Sequence, residues 1–205
     1  MRMGENMKKF VKKNDIPTSL KEEMKYNLTM NQKNQLEEWT GLECGEILFD
    51  SNVDDWSKDT SVFNERIIGK KQLTFLIEDE DGEKFGYYLN TEVIEKYHED
   101  QETDSKSFEF NLQSKNNRLK QPMKFEIYYL EYGGIELYEK SDGALIWLGD
   151  IFLIKENYKN KSYCGQDEER FDYHGIENAL CGKTNTWRNN GNNFTLKRIL
   201  VIQMK

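Results

Sequence analysis

From residue 46 onward the chain consists of short apolar runs separated by polar, turn-rich stretches. Runs of this length predict about nine strands and few helices. The predicted strands are 46–51, 72–77, 84–89, 107–112, 123–130, 135–139, 144–153 interrupted at Gly149-Asp150, and 194–204. Asp81-Gly82 and Asp142-Gly143 lie between successive runs and are typical of hairpin turns. The pattern therefore predicts a mainly β (α+β) domain over residues 42–205, a sandwich rather than a doubly wound sheet.

Residues 19–41 follow a helical period instead. The apolar positions are Leu20, Met24, Leu28, Leu36 and Trp39. Polar residues interrupt this stripe, so we expect either one imperfect amphipathic helix or two short ones. Ser19 with Glu22 fits a capping box, and Gly41 is suited to end the helix. Residues 1–18 show no apolar period and predict a flexible, basic lead-in.

Two further short helical segments are predicted inside the β region. One carries Phe63 and Ile67 on a single face, with Asp59 or Thr60 as its cap and Gly69 just past its end. The other is one or two helical turns at 175–180. Residues 91–106, between two predicted strands, form an acidic loop.

Composition and charge restrict the class of protein. Aromatic residues make up 13% of the chain, which argues against disorder because these side chains bury the most area. The net charge is −8; residues 1–40 contribute +2 and residues 41–205 the remaining −10. An acidic domain repels phosphate backbones, which disfavours nucleic acid as a partner. The alternative is a stress-responsive or nucleic-acid-associated regulator that uses its basic tail, Lys8, Lys9, Lys12 and Lys13.

No motif supports catalysis, a cofactor or a metal. Cys164 and His174 are a conceivable nucleophile pair, but no third orienting group accompanies them. The cysteines are too dispersed for a zinc site, and Asp50-x-Asn52-x-Asp54 lacks the glycine and glutamate of a calcium loop. Three cysteines without framework spacing predict reduced thiols in an intracellular, cytoplasmic protein. No apolar run is long enough to cross a bilayer.

The segments between residues 46 and 90 follow one another in a characteristic order. They read Ile47-Leu48-Phe49-Asp50-Ser51, Val62-Phe63, Leu73-Thr74-Phe75-Leu76-Ile77-Glu78-Asp79, Gly82 and Phe85-Gly86-Tyr87-Tyr88. This series resembles the TLDc domain family, the oxidation-resistance type of domain. Farther along, Ser107–Leu112, Gly149 with Ile151–Ile154, and Ser162 with Cys164 are similar to later family motifs. The chain departs from the family in two places. Of the family's run of glycines only Gly149 is present, and the last strand lacks the closing Glu-Val-Trp.

The resemblance implies a two-sheet antiparallel β-sandwich flanked by a few short helices. It also implies a non-enzymatic protein linked to oxidative-stress resistance, with peripheral subunits of the vacuolar proton-pumping ATPase as a possible partner. No catalytic residues and no cofactor carry over from the family. Trp56, with Asp54 and Asp55 beside it, is the candidate interaction site, because a large aromatic in a polar stretch either packs on the core or anchors a partner.

Overall fold

The computed structural model describes residues 17–115, 118–130, 133–157, 161–181 and 193–205. The helices are α1 Thr18–Tyr26, α2 Met30–Thr40 and α3 Phe63–Ile67. The strands are β1 Cys44–Asp50, β2 Leu73–Asp79, β3 Lys84–Leu89, β4 Asp100–Gln101, β5 Phe108–Gln113, β6 Met123–Glu126, β7 Ile135–Leu137, β8 Ala144–Leu148, β9 Ile151–Ile154, β10 Ser162–Cys164, β11 Asn193–Phe194 and β12 Leu196–Met204.

Two antiparallel sheets of six strands each form the body of the fold, which confirms the predicted mainly β class. The first sheet has the order β1-β12-β2-β3-β5-β6, and the second has the order β11-β10-β9-β8-β7-β4. The predicted hairpins are present: β2 pairs with β3 across Gly82, and β7 pairs with β8 across 138–143. The closing strand β12 lies between β1 and β2 and ties the end of the chain to its beginning.

The main core lies between the two sheets. It combines buried side chains from β2, such as Phe75 and Ile77, with buried side chains from β8 and β9, such as Leu148 and Ile151. Phe63 of α3 closes one part of this core and meets Phe49 at a ring-centroid distance of 4.9 Å. Both sheets therefore bury one face in this shared apolar layer.

A second core covers the other face of the first sheet. Leu76 of β2 and Ile202 of β12 point to this side, where Leu36 of α2 covers them. Trp39 packs at the edge of the same cluster, against Phe108. Strands buried on both faces lose their polar alternation, which explains the nearly continuous apolar sequence of β2.

The N-terminal helical segment is two helices, and part of its predicted stripe is wrong. Leu20 and Met24 are 44% and 67% exposed, because α1 contacts the body mainly through buried Tyr26 at its end. The predicted Ser19 capping box is absent: α1 begins after Pro17 without a side-chain cap. The capping box instead starts α2, where Thr29 and Gln32 bond reciprocally. Gly41 ends α2 in the left-handed conformation, as predicted.

The short helix α3 buries Phe63 and Ile67, as predicted, but neither Asp59 nor Thr60 caps it. Its cap position is Val62, and the hydroxyl of Ser61 accepts the backbone N–H of Phe63. The segment 175–180 consists of turns and not of helix. The lead-in, including the four tail lysines, lies almost wholly outside the described residues.

Several strand boundaries also differ from the prediction. Strand β6 ends at Glu126, because Ile127 leaves the sheet to bridge Phe171. Strands β4 and β10 were not predicted; they contain two and three residues and offer no readable alternation. The acidic loop 91–106 is anchored by buried Gln101, whose side-chain amide bonds the backbone N–H and C=O of Ile94.

Candidate interaction surface

The outward face of the second sheet carries a row of side chains that stand directly opposite one another. Successive strands β4, β7, β8, β9 and β10 contribute one residue each. In that order the residues are Asp100, Glu136, Trp147, Phe152 and Tyr163, and each is paired in register with the next. We call these five residues the outer row. Directly opposed residues have Cβ atoms about 4.5–5.5 Å apart, so the row forms one continuous strip.

The row faces outward because its neighbours along each strand face the core. In β7, Glu136 lies between buried Ile135 and Leu137. Trp147 in β8 has buried neighbours on both sides, and so have Phe152 in β9 and Tyr163 in β10. Successive residues of a strand point to opposite sides of the sheet. Each outer-row residue therefore turns away from the core.

The aromatic members of the row touch one another. The ring centroids of Trp147 and Phe152 are 5.2 Å apart, and those of Phe152 and Tyr163 are 5.0 Å apart. Tyr138, two residues after Glu136, meets the edge of Phe152 at 5.7 Å. The indole N–H of Trp147 donates to the carbonyl of Gly149 at 2.6 Å, which fixes the orientation of the ring. The result is a preorganised aromatic strip rather than a set of loose side chains.

The other end of the row is acidic. Burial and a hydrogen bond to Glu136 raise the pKa of the Tyr138 phenol. Burial and the charge of Glu136 likewise raise the pKa of Tyr163. The carboxylate of Glu136 thus raises the pKa of both phenols. The imidazole of His98 lies edge-on to Tyr138 and pairs with Asp142 at 3.2 Å.

No helix packs on this face among the residues that the structure describes. Helices α1 and α2 cover the first sheet, and α3 packs beside β1. The outer-row aromatics are partly buried and contact one another. Aromatic side chains are enriched at protein interfaces and dominate their binding energy. The face therefore has the composition and the rigidity of a docking surface.

The predicted interaction residues lie in the loop 51–62 and not in the outer row. Trp56 is half-buried and packs against the main core. Asp55 is exposed and accepts the backbone N–H of Ser57, which lowers its pKa. Asp54 accepts the backbone N–H of Asp50 at 2.9 Å. The two carboxylates hold the turns of their own loop.

A second exposed aromatic pair follows β6. Tyr128 and Tyr129 are 57% and 60% exposed and line an open groove of about 920 Å³. Residues 167–170 also line this groove. Residues 131–132, next to this pair, lie outside the described part of the chain. We therefore treat this groove as the rival surface.

Between the sheets lies a buried acidic cluster, which joins β5 of the first sheet to the β8–β9 turn of the second. The carboxyl oxygens of Glu109 accept the backbone N–H of Asp150 at 2.6 Å and contact the hydroxyl of Tyr173 at 2.6 Å. The same hydroxyl lies 2.8 Å from the carboxyl of Asp150. Gly149 makes room for this arrangement, because a Cβ there would lie 2.6 Å from Glu109. These three side chains are at most 6% exposed, and their hydrogen bonds connect the two sheets.

The other candidates for chemistry are engaged elsewhere. Cys44, Cys164 and Cys181 are buried, and none is in a disulfide. His174 is exposed and pairs with Asp172 at 3.1 Å. The calcium-like Asp50 binds Arg198 through two hydrogen bonds, of 2.9 and 2.6 Å.

Among the described residues, no group of three or more His, Cys, Asp or Glu could hold a metal ion. No helix in this part of the chain is long and apolar enough to cross a membrane.

The outer row has one trace in the sequence, although the apolar pattern does not predict the row. Strands β8 and β9 read as continuous apolar runs, which is usual for strands buried on both faces. In each, the outward residue is aromatic, here Trp147 and Phe152. These residues lie opposite one another only because of the strand register, which the sequence pattern does not contain.

Comparison with known proteins gives no match: no family model and no curated protein corresponds to this sequence.

Proposed function

We propose that this chain is a non-enzymatic binding module of the TLDc type that acts inside the cell and docks a protein partner on the outward face of its second sheet. The observation that carries the proposal is the register of the outer row, which brings Trp147, Phe152 and Tyr163 into contact on a face that no described helix covers. Three touching aromatic rings on a rigid sheet provide the apolar centre that hot spots of interfaces require.

The resemblance supplies the proposed partner. The motif strands Leu73–Asp79 and Phe85–Tyr88 form the centre of the first sheet, within β2 and β3. A two-sheet antiparallel sandwich is the fold that the resemblance implies. On that basis the partner is the peripheral sector of the vacuolar proton-pumping ATPase, and regulation of this pump would connect the module to oxidative-stress resistance.

The buried state of the reactive groups supports a non-enzymatic role. Glu109, Tyr173 and Cys164 are each no more than 1% exposed. A catalytic group must reach its substrate directly or through one water molecule. The outward-facing side chains of the second sheet are instead aromatic rings and carboxylates, which suit recognition.

Binding of purified peripheral ATPase sector to the immobilised full chain tests the proposal. We expect Trp147→Ala to weaken binding about 30-fold, the effect of a hot spot worth about 2 kcal/mol. Tyr163→Ser, at the other end of the strip, should also weaken it. Tyr129→Ala is the matched control, since it removes an exposed aromatic from the rival groove. Thermal melts establish that each variant is folded.

Two results would contradict the proposal separately. If the unmodified chain does not bind the peripheral sector, the pump is not the partner. If Tyr129→Ala abolishes binding while Trp147→Ala does not, the docking surface is the rival groove and not the outer row.

A further inference from the structure

The acidic end of the outer row has an unusual pairing. Asp100 and Glu136 stand directly opposite each other in β4 and β7. Like charges in this position destabilise a sheet, whereas opposite charges stabilise it. Within the described residues neither carboxylate forms an ion pair, although Lys96, His98 and Lys140 of the neighbouring segments pair with Glu99, Asp142 and Glu65.

The next position along the row is aromatic. Trp147 stands directly opposite Glu136 on the other side. Tryptophan is the best aromatic partner for a cation, and Arg stacks on its ring more often than Lys does. Two carboxylates beside an indole thus combine the charge and the π face that a guanidinium group recognises.

We propose that the outer row binds an arginine-containing basic segment of a protein partner, with one guanidinium seated between Asp100, Glu136 and the ring of Trp147. The inference rests on the proposed function and names the chemistry of the partner's contact. The seated cation neutralises the opposed carboxylates, while Phe152 and Tyr163 receive the apolar parts of the segment. The net charge of −8 attracts such a segment from a distance.

The structure favours a basic segment over other occupants of this face. A purely apolar partner would leave Asp100 and Glu136 buried beneath it without a counter-charge, which is costly. A nucleic acid would bring phosphates against the same carboxylates. A basic segment, in contrast, contacts both the carboxylates and the aromatic rings of the outer row.

Binding of a hexa-arginine peptide to the full chain, followed by calorimetry at two salt concentrations, tests this inference. We expect Asp100→Asn with Glu136→Gln to weaken binding about tenfold or more, because both carboxylates of the seat are lost. The matched control is Glu43→Gln with Glu46→Gln, which removes the same charge at exposed positions at the start of the first sheet. The control should change affinity little beyond the general salt effect.

A stability measurement provides a second readout. Asp100→Asn should maintain or raise the thermal midpoint, since it removes the repulsion between opposed carboxylates. A clear fall would mean that the pair supports the fold, and it would overturn the premise. Equal weakening of peptide binding by both double variants would also overturn the inference, because the attraction would then be unspecific.

The two proposals fail in different ways. If Trp147→Ala weakens binding of the ATPase sector but the Asp100→Asn, Glu136→Gln double variant does not, the docking surface is correct and the arginine seat is wrong. If neither variant weakens binding of the ATPase sector, while the peptide still depends on the two carboxylates, the seat is real and the sector docks on another surface.

Discussion

Tyr173 places a single hydroxyl between two carboxyl groups. Its oxygen lies 2.6 Å from Glu109 and 2.8 Å from Asp150. A phenol has one proton to donate, so both contacts are hydrogen bonds only when one carboxyl is itself protonated. Burial and the charge of Asp150 raise the pKa of Glu109 well above its ordinary range. We infer that Glu109 holds the proton in the folded state.

This proton makes stability depend on pH. A glutamate whose pKa is raised by folding contributes stability below its ordinary pKa of 4.5, and this contribution is lost as the pH rises through the raised value. Carboxylates with lowered pKa, such as Asp50 beside Arg198, have the opposite effect, but it is complete once the pH exceeds their ordinary value. Glu109→Gln keeps the hydrogen bonds and removes the titration. We therefore expect the decline in unfolding free energy as the pH rises above about 4.5 to be smaller in this variant.

Denaturant titrations at a series of pH values measure that decline. Glu92→Gln, at an exposed position, is the control and should follow the unmodified protein. Tyr173→Phe should cost about 1–3 kcal/mol at every pH, because it leaves one buried carboxyl oxygen of Glu109 without its partner. An unchanged pH slope in Glu109→Gln would show that another group holds the proton.

The three thiols give a second prediction at the residue scale. Burial, followed by the charge of Glu37, raises the pKa of Cys44 to about 12. Burial and the neighbouring Cys181 raise the pKa of Cys164 well above the usual value. The thiolate is the form that reacts with peroxide. With a raised pKa, Cys44 and Cys164 remain protonated at neutral pH and form little thiolate. We expect no catalytic peroxide consumption, and slow labelling of the native protein by a thiol reagent.

Peroxide consumption by the unmodified chain and by a triple Cys→Ser variant checks this prediction. Labelling should become fast once denaturant exposes the thiols. Turnover that disappears in the triple variant would instead identify the protein as an enzyme. A slow, stoichiometric loss of thiols would be compatible with the prediction.

At the scale of elements, the helical layer separates residues that look equivalent in the sequence. Leu36 is fully buried against the first sheet, whereas Met24 is 67% exposed. Leu36→Ala should therefore cost about 2–5 kcal/mol of unfolding free energy, the range for truncating a buried leucine. Met24→Ala should change it by less than about 0.5 kcal/mol. Urea denaturation compares the two, and equal effects would mean that α2 does not pack on the sheet as described.

The Phe-Gly-Tyr motif is explained at the same scale. Gly86 in β3 stands opposite Leu76 in β2. A Cβ at Gly86 would lie 1.9 Å from the carbonyl oxygen of Phe75 and 2.8 Å from the ring of Phe110. The glycine therefore allows β3 to lie close to the backbone of β2 and to the side chain of Phe110 in β5.

For the whole molecule, the sequence predicts local features better than long-range ones. The β2–β3 hairpin and the end of α2 follow from Asp81-Gly82 and Gly41, whose backbone preferences act within a few residues. The outer row and the Glu109–Asp150 contact depend on the pairing of residues far apart in the chain, which no local pattern contains. Likewise, the periodic position of Met24 does not reveal that α1 turns this side toward solvent.

The last prediction concerns cooperativity. The main core contains buried residues of both sheets, and β2 contributes Phe75 to the main core and Leu76 to the second core. Losing either layer would expose the shared first sheet, so we expect the helices and both sheets to unfold in one transition. Two single-tryptophan variants test this. One keeps Trp39 in the helical layer and the other keeps Trp147 on the outer row, with Phe at the remaining tryptophan positions.

The ring centroids of Trp39 and Phe108 are 6.1 Å apart, and those of Trp147 and Phe152 are 5.2 Å apart. The fluorescence of each indole therefore reports on the packing of its own layer. We expect the two fluorescence transitions to share one denaturant midpoint and to coincide with loss of the far-ultraviolet circular dichroism signal in the same variant. An earlier transition at Trp39 alone would show that α1 and α2 detach as an independent unit. An earlier transition at Trp147 alone would show that the second sheet loosens first, in spite of the buried bridge from Glu109 to Asp150.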